Sequence, residues 1–388
     1  MRLIFAAGVF VMSLSAAGAA DVELLGVGTL PGTTADLSGL KDFLSDGTPH
    51  DRLGGLGSAI DYTGNGDLYV LASDRGPKDG AVDYACRVHT MAIAVMPGKT
   101  PAVTLTLKST TLLTNEAGER LNGAMHSLHL KHPERSLRFD PEGIRVGLKG
   151  TYFLSDEYGP DICEFTPEGK RLRTLPMPEK FRPQHAGKKL DDELPPHNTK
   201  GRVPNRGLEG LAISPDGRFL VGAMQSPLIQ DGALNAKHDR IGLHCRLVMI
   251  ELSTGTAKEF VYRLDEAGNG VNEILALNDH EFLVLERDGK GGRDAKFKKV
   301  FRIDLTAATD VSGLPSLNSP AEFTPVKKAS YLNLLDPKFG IAGKDCPEKF
   351  EGLTFGPKLA DGRKLLLVSA DNDFLADRPL RIYAFAVR

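Results

Sequence analysis

Apolar and polar positions alternate along this chain in a unit that recurs five times: a polar opening, a Gly-plus-apolar step, a turn, and an apolar run ending in acidic or amide side chains. The copies read GSAIDYTGNGDLYVLASDRGP from Gly57, DPEGIRVGLKGTYFLSDEYGP from Asp140, NRGLEGLAISPDGRFLVGAMQSP from Asn205, VNEILALNDHEFLVLERDG from Val271 and KFEGLTFGPKLADGRKLLLVSADND from Lys349. Their turns (Gly64-Asn65-Gly66-Asp67, Lys149-Gly150, Pro215-Asp216-Gly217, Asn278-Asp279, Asp361-Gly362) carry hairpin chemistry. The runs that follow, 68–71, 152–154, 219–221, 282–285 and 365–368, are continuously apolar. That pattern suits short strands buried on both faces, as in stacked sheets.

Outer hairpins follow the inner ones, for example Asp161-Ile162-Cys163-Glu164-Phe165 before Pro167-Glu168-Gly169-Lys170, and Arg246 to Glu251 before Ser253-Thr254-Gly255. An inner plus an outer hairpin makes a propeller blade, so the predicted fold is all-β, a β-propeller with five visible units and five or six blades. A sixth blade has room between His89 and Arg138, where MAIAVM and AVTLTLKS supply strands. After the fifth copy only one further strand remains, 381–387. The N-terminal strand 22–29 is therefore expected to complete the last blade and close the ring, removing two sheet edges. Two stretches fall outside the repeat: 178–205, read as a long exposed loop, and the Gly-rich turn 288–294, which lacks a phosphate-loop pattern.

Forty-two glycines and 24 prolines fit a turn-dense β protein, and a mean hydropathy of −0.19 fits a folded, soluble one. With 48 Lys+Arg against 50 Asp+Glu there is no basic field to draw nucleic acid. Residues 1–20 read as a secretory signal, with Arg2, an apolar run over 3–14 and small residues ending at Ala19 or Ala20. The expected domain is then 21–388, periplasmic or secreted, without a membrane anchor and monomeric. Cys86, Cys163, Cys245 and Cys346 have no CxxC spacing. Two disulfides in any of three pairings, or four small buried thiols, both fit.

The candidate chemistry lies at two recurrent positions. Glu142, Glu209, Glu273 and Glu351 stand at the openings, with Ser58 in the first copy; these five lie 84, 67, 64 and 78 residues apart. Asp74-Arg75, Asp156-Glu157, Gln225, Glu286-Arg287 and Asp371-Asn372 stand at the strand ends. In a propeller the first strand of each blade lines the central channel, so these side chains are expected to converge on one mouth. Like charges brought together there repel by kcal/mol per close pair and need neutralising, by Arg75, Arg206 and Arg287 or by a hard cation such as Ca²⁺. Taken singly, each acid equally suits a loop brace accepting backbone N–H bonds. His126, His129 and His132 are a weaker metal candidate on an inter-blade loop. The GxSxG and HExxH motifs are absent, and Cys245 lacks the Arg six positions on that a phosphocysteine loop requires.

The combination NRGLEGLAISPDG with MQSPL, VNEILALND with FLVLERDG, DPEGIRV with FLSDEYGP, and KFEGLTFGP with SADNDF resembles the phytase-like family, also described as "esterase-like activity of phytase", over roughly residues 50–388. The resemblance implies a secreted or periplasmic propeller-like domain whose repeated acids serve phosphoester hydrolysis. On this basis the expected function is a metal-assisted phosphoric-ester hydrolase acting on a small-molecule substrate. Glu142, Glu209, Glu273, Glu351, Arg287 and Arg206 are its expected catalytic residues; Asp156, Glu157, Glu286, Asp371 and Asp74 its metal ligands, Ca²⁺ favoured; Gln225, Asn372 and Arg75 its substrate contacts. A non-catalytic ligand-binding propeller and a metal-dependent lactone or carboxylic-ester hydrolase would use the same ring.

Overall fold

The computed structural model describes residues 22–132, 135–318 and 320–388; the leader predicted over 1–20 lies outside them. After β1 (Val22–Leu30) come β2 (Leu56–Tyr62), β3 (Leu68–Ser73), β4 (Arg87–Val95) and β5 (Val103–Leu112), then β6 (Pro141–Val146), β7 (Tyr152–Asp156), β8 (Asp161–Phe165) and β9 (Arg171–Thr174). The third group is β10 (Leu208–Ile213), β11 (Phe219–Met224), β12 (His244–Glu251) and β13 (Ala257–Arg263), and the fourth is β14 (Gly270–Ala276), β15 (Glu281–Arg287), β16 (Lys298–Asp304) and β17 (Lys327–Asn333). The last is β18 (Lys349–Phe355), β19 (Lys364–Asp371) and β20 (Leu380–Val387). They form five four-stranded antiparallel sheets, in order β2-β3-β4-β5, β6-β7-β8-β9, β10-β11-β12-β13, β14-β15-β16-β17 and β18-β19-β20-β1. The fold is a five-bladed β-propeller. The described residues form no sixth blade: MAIAVM and AVTLTLKS belong to β4 and β5, the outer hairpin of blade 1.

The ring closes as the strand count requires. β1 pairs with β20 from Val22 opposite Val387 to Leu30 opposite Leu380, giving blade 5 its fourth strand from the other end of the chain. Five apolar clusters fill the five gaps between neighbouring blades. Blades 5 and 1 share Leu56, Ile60, Leu71, Leu365, Leu367 and Ile382, and the other four gaps are filled in the same way. Continuous apolar runs serve this geometry because each inner strand has a blade on both faces.

Glycines fix how closely the innermost strands approach. A Cβ at Gly210 would sit 2.8 Å from the Glu273 Cα, and one at Gly143 2.7 Å from the Leu211 Cβ, which explains the Glu-Gly pair at the opening of three units. The segment 178–205 has no strand and keeps Lys188, Lys189, Asp191, Asp192 and Lys200 exposed, as expected of a long loop, but it is anchored inward by the buried Phe181, Asn198, Glu193 and Arg202, with Arg202 Nη2 2.6 Å from Glu193 Oε2. The four cysteines are free and buried, the second of the two arrangements left open above.

Candidate functional site

Strand register defines the site. Each innermost strand bulges at its opening, between Leu56 and Ala59, Pro141 and Gly143, Leu208 and Gly210, Val271 and Glu273, and Phe350 and Gly352. The bulges place Ser58, Glu142, Glu209, Asn272 and Glu351 at equivalent positions, one per blade. The blade-4 member is Asn272, so Glu273 is out of register with the other three glutamates; it occupies the position of Gly143, Gly210 and Gly352. The second strands, read from their register partners, contribute a further set of equivalents: Asp74, Glu157, Gln225, Arg287 and Asp371. All ten side chains are buried. Bulges re-aim side chains where pairing ends, and here they turn one polar residue per strand toward the axis.

Glu273 belongs to a different structure. Its Oε1 accepts from the backbone N–H groups of Leu211 (3.0 Å) and Ile274 (2.9 Å), and its Oε2 lies 2.9 Å from Arg145 Nη2. Arg145 donates to the carbonyls of Ile60 (2.9 Å), Ile144 (2.7 Å), Ile274 (2.9 Å) and Leu353 (3.3 Å). The two side chains thus bind the innermost strands of all five blades and stopper the channel. Burial, opposed by Arg145, pushes the Glu273 carboxyl up to about 7.

Within the rings the charges are unevenly matched. Arg75 Nη1 donates to Asp140 (2.7 Å) and Glu157 (3.0 Å), Arg287 Nη2 to Glu351 (2.6 Å), and Lys349 reaches Asp371 (3.4 Å) and Asp373. Among the described residues no cation forms an ion pair with Glu209. Its Oε1 accepts from the amides of Gln225 (2.5 Å) and Asn272 (2.9 Å), and its Oε2 is buried without a partner. Glu142 also forms no ion pair among the described residues. Burial first, and then neighbouring carboxylates, push Glu142 and Glu209 well above the ordinary range; the neighbours are Glu209, Asp140 and Glu157 for Glu142, and Glu157 and Glu351 for Glu209. Burial likewise lifts Asp371 well above its usual value, and Asp74 and Asp140 to about 7.

Among the described residues, one group of three acids has ligand spacing: Asp140, Glu142 and Glu157, with an oxygen from each lying within 4.8 Å of the others. Hard carboxylate oxygens and three negative charges against the single charge of Arg75 fit a divalent hard cation such as Ca²⁺. Of the five acids expected as ligands, only Glu157 is in this group. Asp156 braces a loop, accepting from the backbone N–H groups of Asp140, Tyr158 and Gly159. Glu286 is saturated by Tyr262, Asp265, Asn269 and Lys328. Asp371 faces Lys349, and Asp74 Oδ1 accepts from Gly76 N. Gln225 is on the ring and receives Arg206 Nη1 at 2.5 Å, whereas the Asn372 amide is spent on the carbonyls of Leu375 and Arg378.

Asp140, Asn272 and Lys349 are the members the repeats did not single out. Asp140 had a signal, standing directly before Pro141-Glu142; Asn272 was masked by the glutamate next to it. His126 instead faces Asp83 at 3.0 Å, and His129 Nδ1 accepts from His132 N. A cavity of about 770 Å³ lies beside the ring, lined by Leu128, Arg138, Tyr158, Arg171, Arg182 and His185 among others. It includes neither ring, and its arginines are engaged: Arg171 with Glu116, Arg182 with Asp161, Arg138 with Glu193. The site is placed on the axis because the repeat converges there.

Comparison with known proteins places this geometry in context. A family model described as "Phytase-like: Esterase-like activity of phytase" matches residues 51–374. An uncharacterized secreted protein of Arthroderma benhamiae is 27% identical over 350 residues, covering 72% of this chain and 66% of that relative, so the chain spans just under two thirds of the relative's length. Similar solved structures include the PQQ-bound aldose sugar dehydrogenase of Streptomyces coelicolor, 11% identical with a TM-score of 0.36 over 95% of this chain and 98% of that one. A catalytically inactive virginiamycin B lyase of Staphylococcus aureus is 9% identical with a TM-score of 0.36 over 95% and 100%.

Proposed function

The chain belongs to the phytase-like family, and from that premise we propose that it is a secreted phosphoric-ester hydrolase assisted by a divalent cation, Ca²⁺ favoured. The observation that carries this reading is the clustering of Asp140, Glu142 and Glu157 within 4.8 Å beside guanidinium groups on the same mouth. The secreted relative supports export. Asp140, Glu142 and Glu157 would hold the cation, which when bound polarises phosphoryl oxygens and lowers the pKa of a water.

The chain's own residues supply the rest. Arg75 fixes Asp140 and Glu157 in place and limits their repulsion. Glu209 is oriented by two amides, retains a free oxygen and is shifted toward its protonated form; this suits a general acid that gives a proton to the leaving oxygen. Arg206, positioned by Gln225, and Arg287, positioned by Glu351, face charge that develops on the phosphoryl group. The Arg145–Glu273 stopper closes the floor, so the reacting group stays at the mouth.

The test is phosphate release from phytate and p-nitrophenyl phosphate, with and without chelator, alongside p-nitrophenyl acetate and a lactone. We expect turnover that chelation abolishes and excess Ca²⁺ restores, and a loss of about a hundredfold or more in kcat for Glu209→Gln with little change in KM. Cleavage of only the acetate or lactone would replace phosphoryl transfer with acyl transfer. Ligand binding without any turnover would make the propeller a binding module.

A further inference from the structure

Blades 2 and 5 share one frame and differ in one charge. Of the five blades, these two alone carry an acid on both rings, Glu142 with Glu157 and Glu351 with Asp371. In each, a guanidinium from the preceding blade reaches in: Arg75 donates to Asp140 and Glu157, and Arg287 to Glu351. The two blades part at the residue that faces the second-strand member across the ladder. In blade 2 this is Asp140, whose carbonyl accepts from Glu157 N at 3.0 Å; in blade 5 it is Lys349, opposite Asp371. Gly55, Gly207 and Gly270 hold the same place in blades 1, 3 and 4, opposite Asp74, Gln225 and Arg287. Only two blades put a side chain there, one a carboxylate and the other an ammonium.

Lys349 is held where it stands. Its Nζ lies 3.4 Å from Oδ2 of Asp371, a carboxylate closed to solvent, and it pairs with Asp373 as well. Asp373 N donates to Asp371 Oδ1 at 3.0 Å. Asp373 and Phe374 both have left-handed backbones, φ 52° and 57°, a strained pair that is secured by Phe374 packing on Tyr84 with ring centroids 4.9 Å apart. A Cβ at Gly55 would lie 2.4 Å from Asp74 Oδ1 and 2.5 Å from Phe374 Cε2, so Asp74 borders the same loop. Burial opposes its charge, yet the carboxylates of Asp371, Glu351, Asp74 and Asp373 raise Lys349 well above the ordinary lysine range.

We infer that Lys349 is a built-in cation that fills blade 5's half of the mouth, so that the protein takes a divalent ion at blade 2 alone. The inference rests on the cation-assisted reading and deepens it. A tethered ammonium neutralises Asp371 and Asp373, spends its donors on their oxygens and repels a second cation within reach. Aspartate in its place would give blade 5 the three acids of blade 2, a hard-oxygen set of the kind Ca²⁺ takes.

The experiment is calorimetric titration of Ca²⁺ into the metal-stripped whole protein, for wild type, Lys349→Arg, Lys349→Asp and the double variant Lys349→Asp with Asp140→Asn, with thermal melts of each in EDTA. We expect one ion per wild-type chain, one for Lys349→Arg, two for Lys349→Asp and one for the double variant. Should Lys349→Asp fail to fold, Lys349→Gln carries the test in its stead: its melting in EDTA should fall by about 2 °C or more, and Ca²⁺ should raise it further than it raises wild type. Two ions in wild type, a folded Lys349→Asp that binds no more than wild type, or a Lys349→Gln that melts and responds to Ca²⁺ as wild type does overturns the role of Lys349, even where wild type binds one ion and turns over substrate. No ion in wild type but one in Lys349→Asp sustains the lysine as blade 5's cation and removes the blade 2 ion, and with it the cation-assisted reading.

Discussion

Glu142→Gln tests the electrostatics of the mouth most directly. In the metal-free protein Glu142 sits among Asp140 and Glu157, its oxygen within 4.8 Å of theirs, with one guanidinium shared between those two. At that separation and an effective dielectric near 20, one like-charge pair costs about 3 kcal/mol, and burial adds to it. The folded carboxyl is raised above its unfolded value near 4.3, so the stability associated with the proton is fully present below that pH and is lost as pH rises through the folded pKa. The amide keeps the shape and carries no charge at either end of this window. We therefore expect the variant to be more stable than wild type by about 3 kcal/mol near pH 8 and by less than about 1 kcal/mol near pH 5. With an unfolding entropy of about 2.1 cal/mol/K per residue, that corresponds to a Tm about 4 °C higher at the upper pH. The assay is thermal unfolding by circular dichroism in EDTA at both pH values, repeated with excess Ca²⁺. Calcium should stabilise wild type more than the variant, shrinking or reversing the difference. A variant equal to or less stable than wild type near pH 8 in EDTA would refute the reasoning.

Two further perturbations probe the frame. Arg145→Met leaves Glu273 buried without its cation and cuts bonds to the innermost strands of four blades; chemical denaturation should show a loss of about 3–5 kcal/mol, of which Glu273→Gln in the same chain restores part. Deleting 22–30 strips blade 5 of β1 and exposes the edge of β20; the whole ring should melt at lower temperature, and an unchanged midpoint would mean that closure contributes nothing to stability.

The fold was largely readable in the sequence because its physics is local and repeated. Turn residues such as Gly64-Asn65-Gly66 and Asp361-Gly362, together with apolar runs, mark each inner hairpin, and counting strands from the end exposed β1 as the missing fourth. The ring positions Glu142, Glu209 and Glu351 were legible for the same reason. Glu273 was not, since a bulge shifts register by one residue and only the partner strand reveals that Asn272 takes the equivalent place. Glu286 and Asp156 share the motif's position in sequence but find donors (Lys328, and the N–H of Asp140) that no local pattern announces.

The Arg145–Glu273 stopper bears on traffic. A propeller with an open axis offers two doors; here one end is bolted by bonds to all five inner strands, so whatever enters by the acidic mouth must leave by it. On the hydrolase proposed above, substrate, product and cation would share one vestibule, and phosphate released there would have to leave before the next arrival could enter.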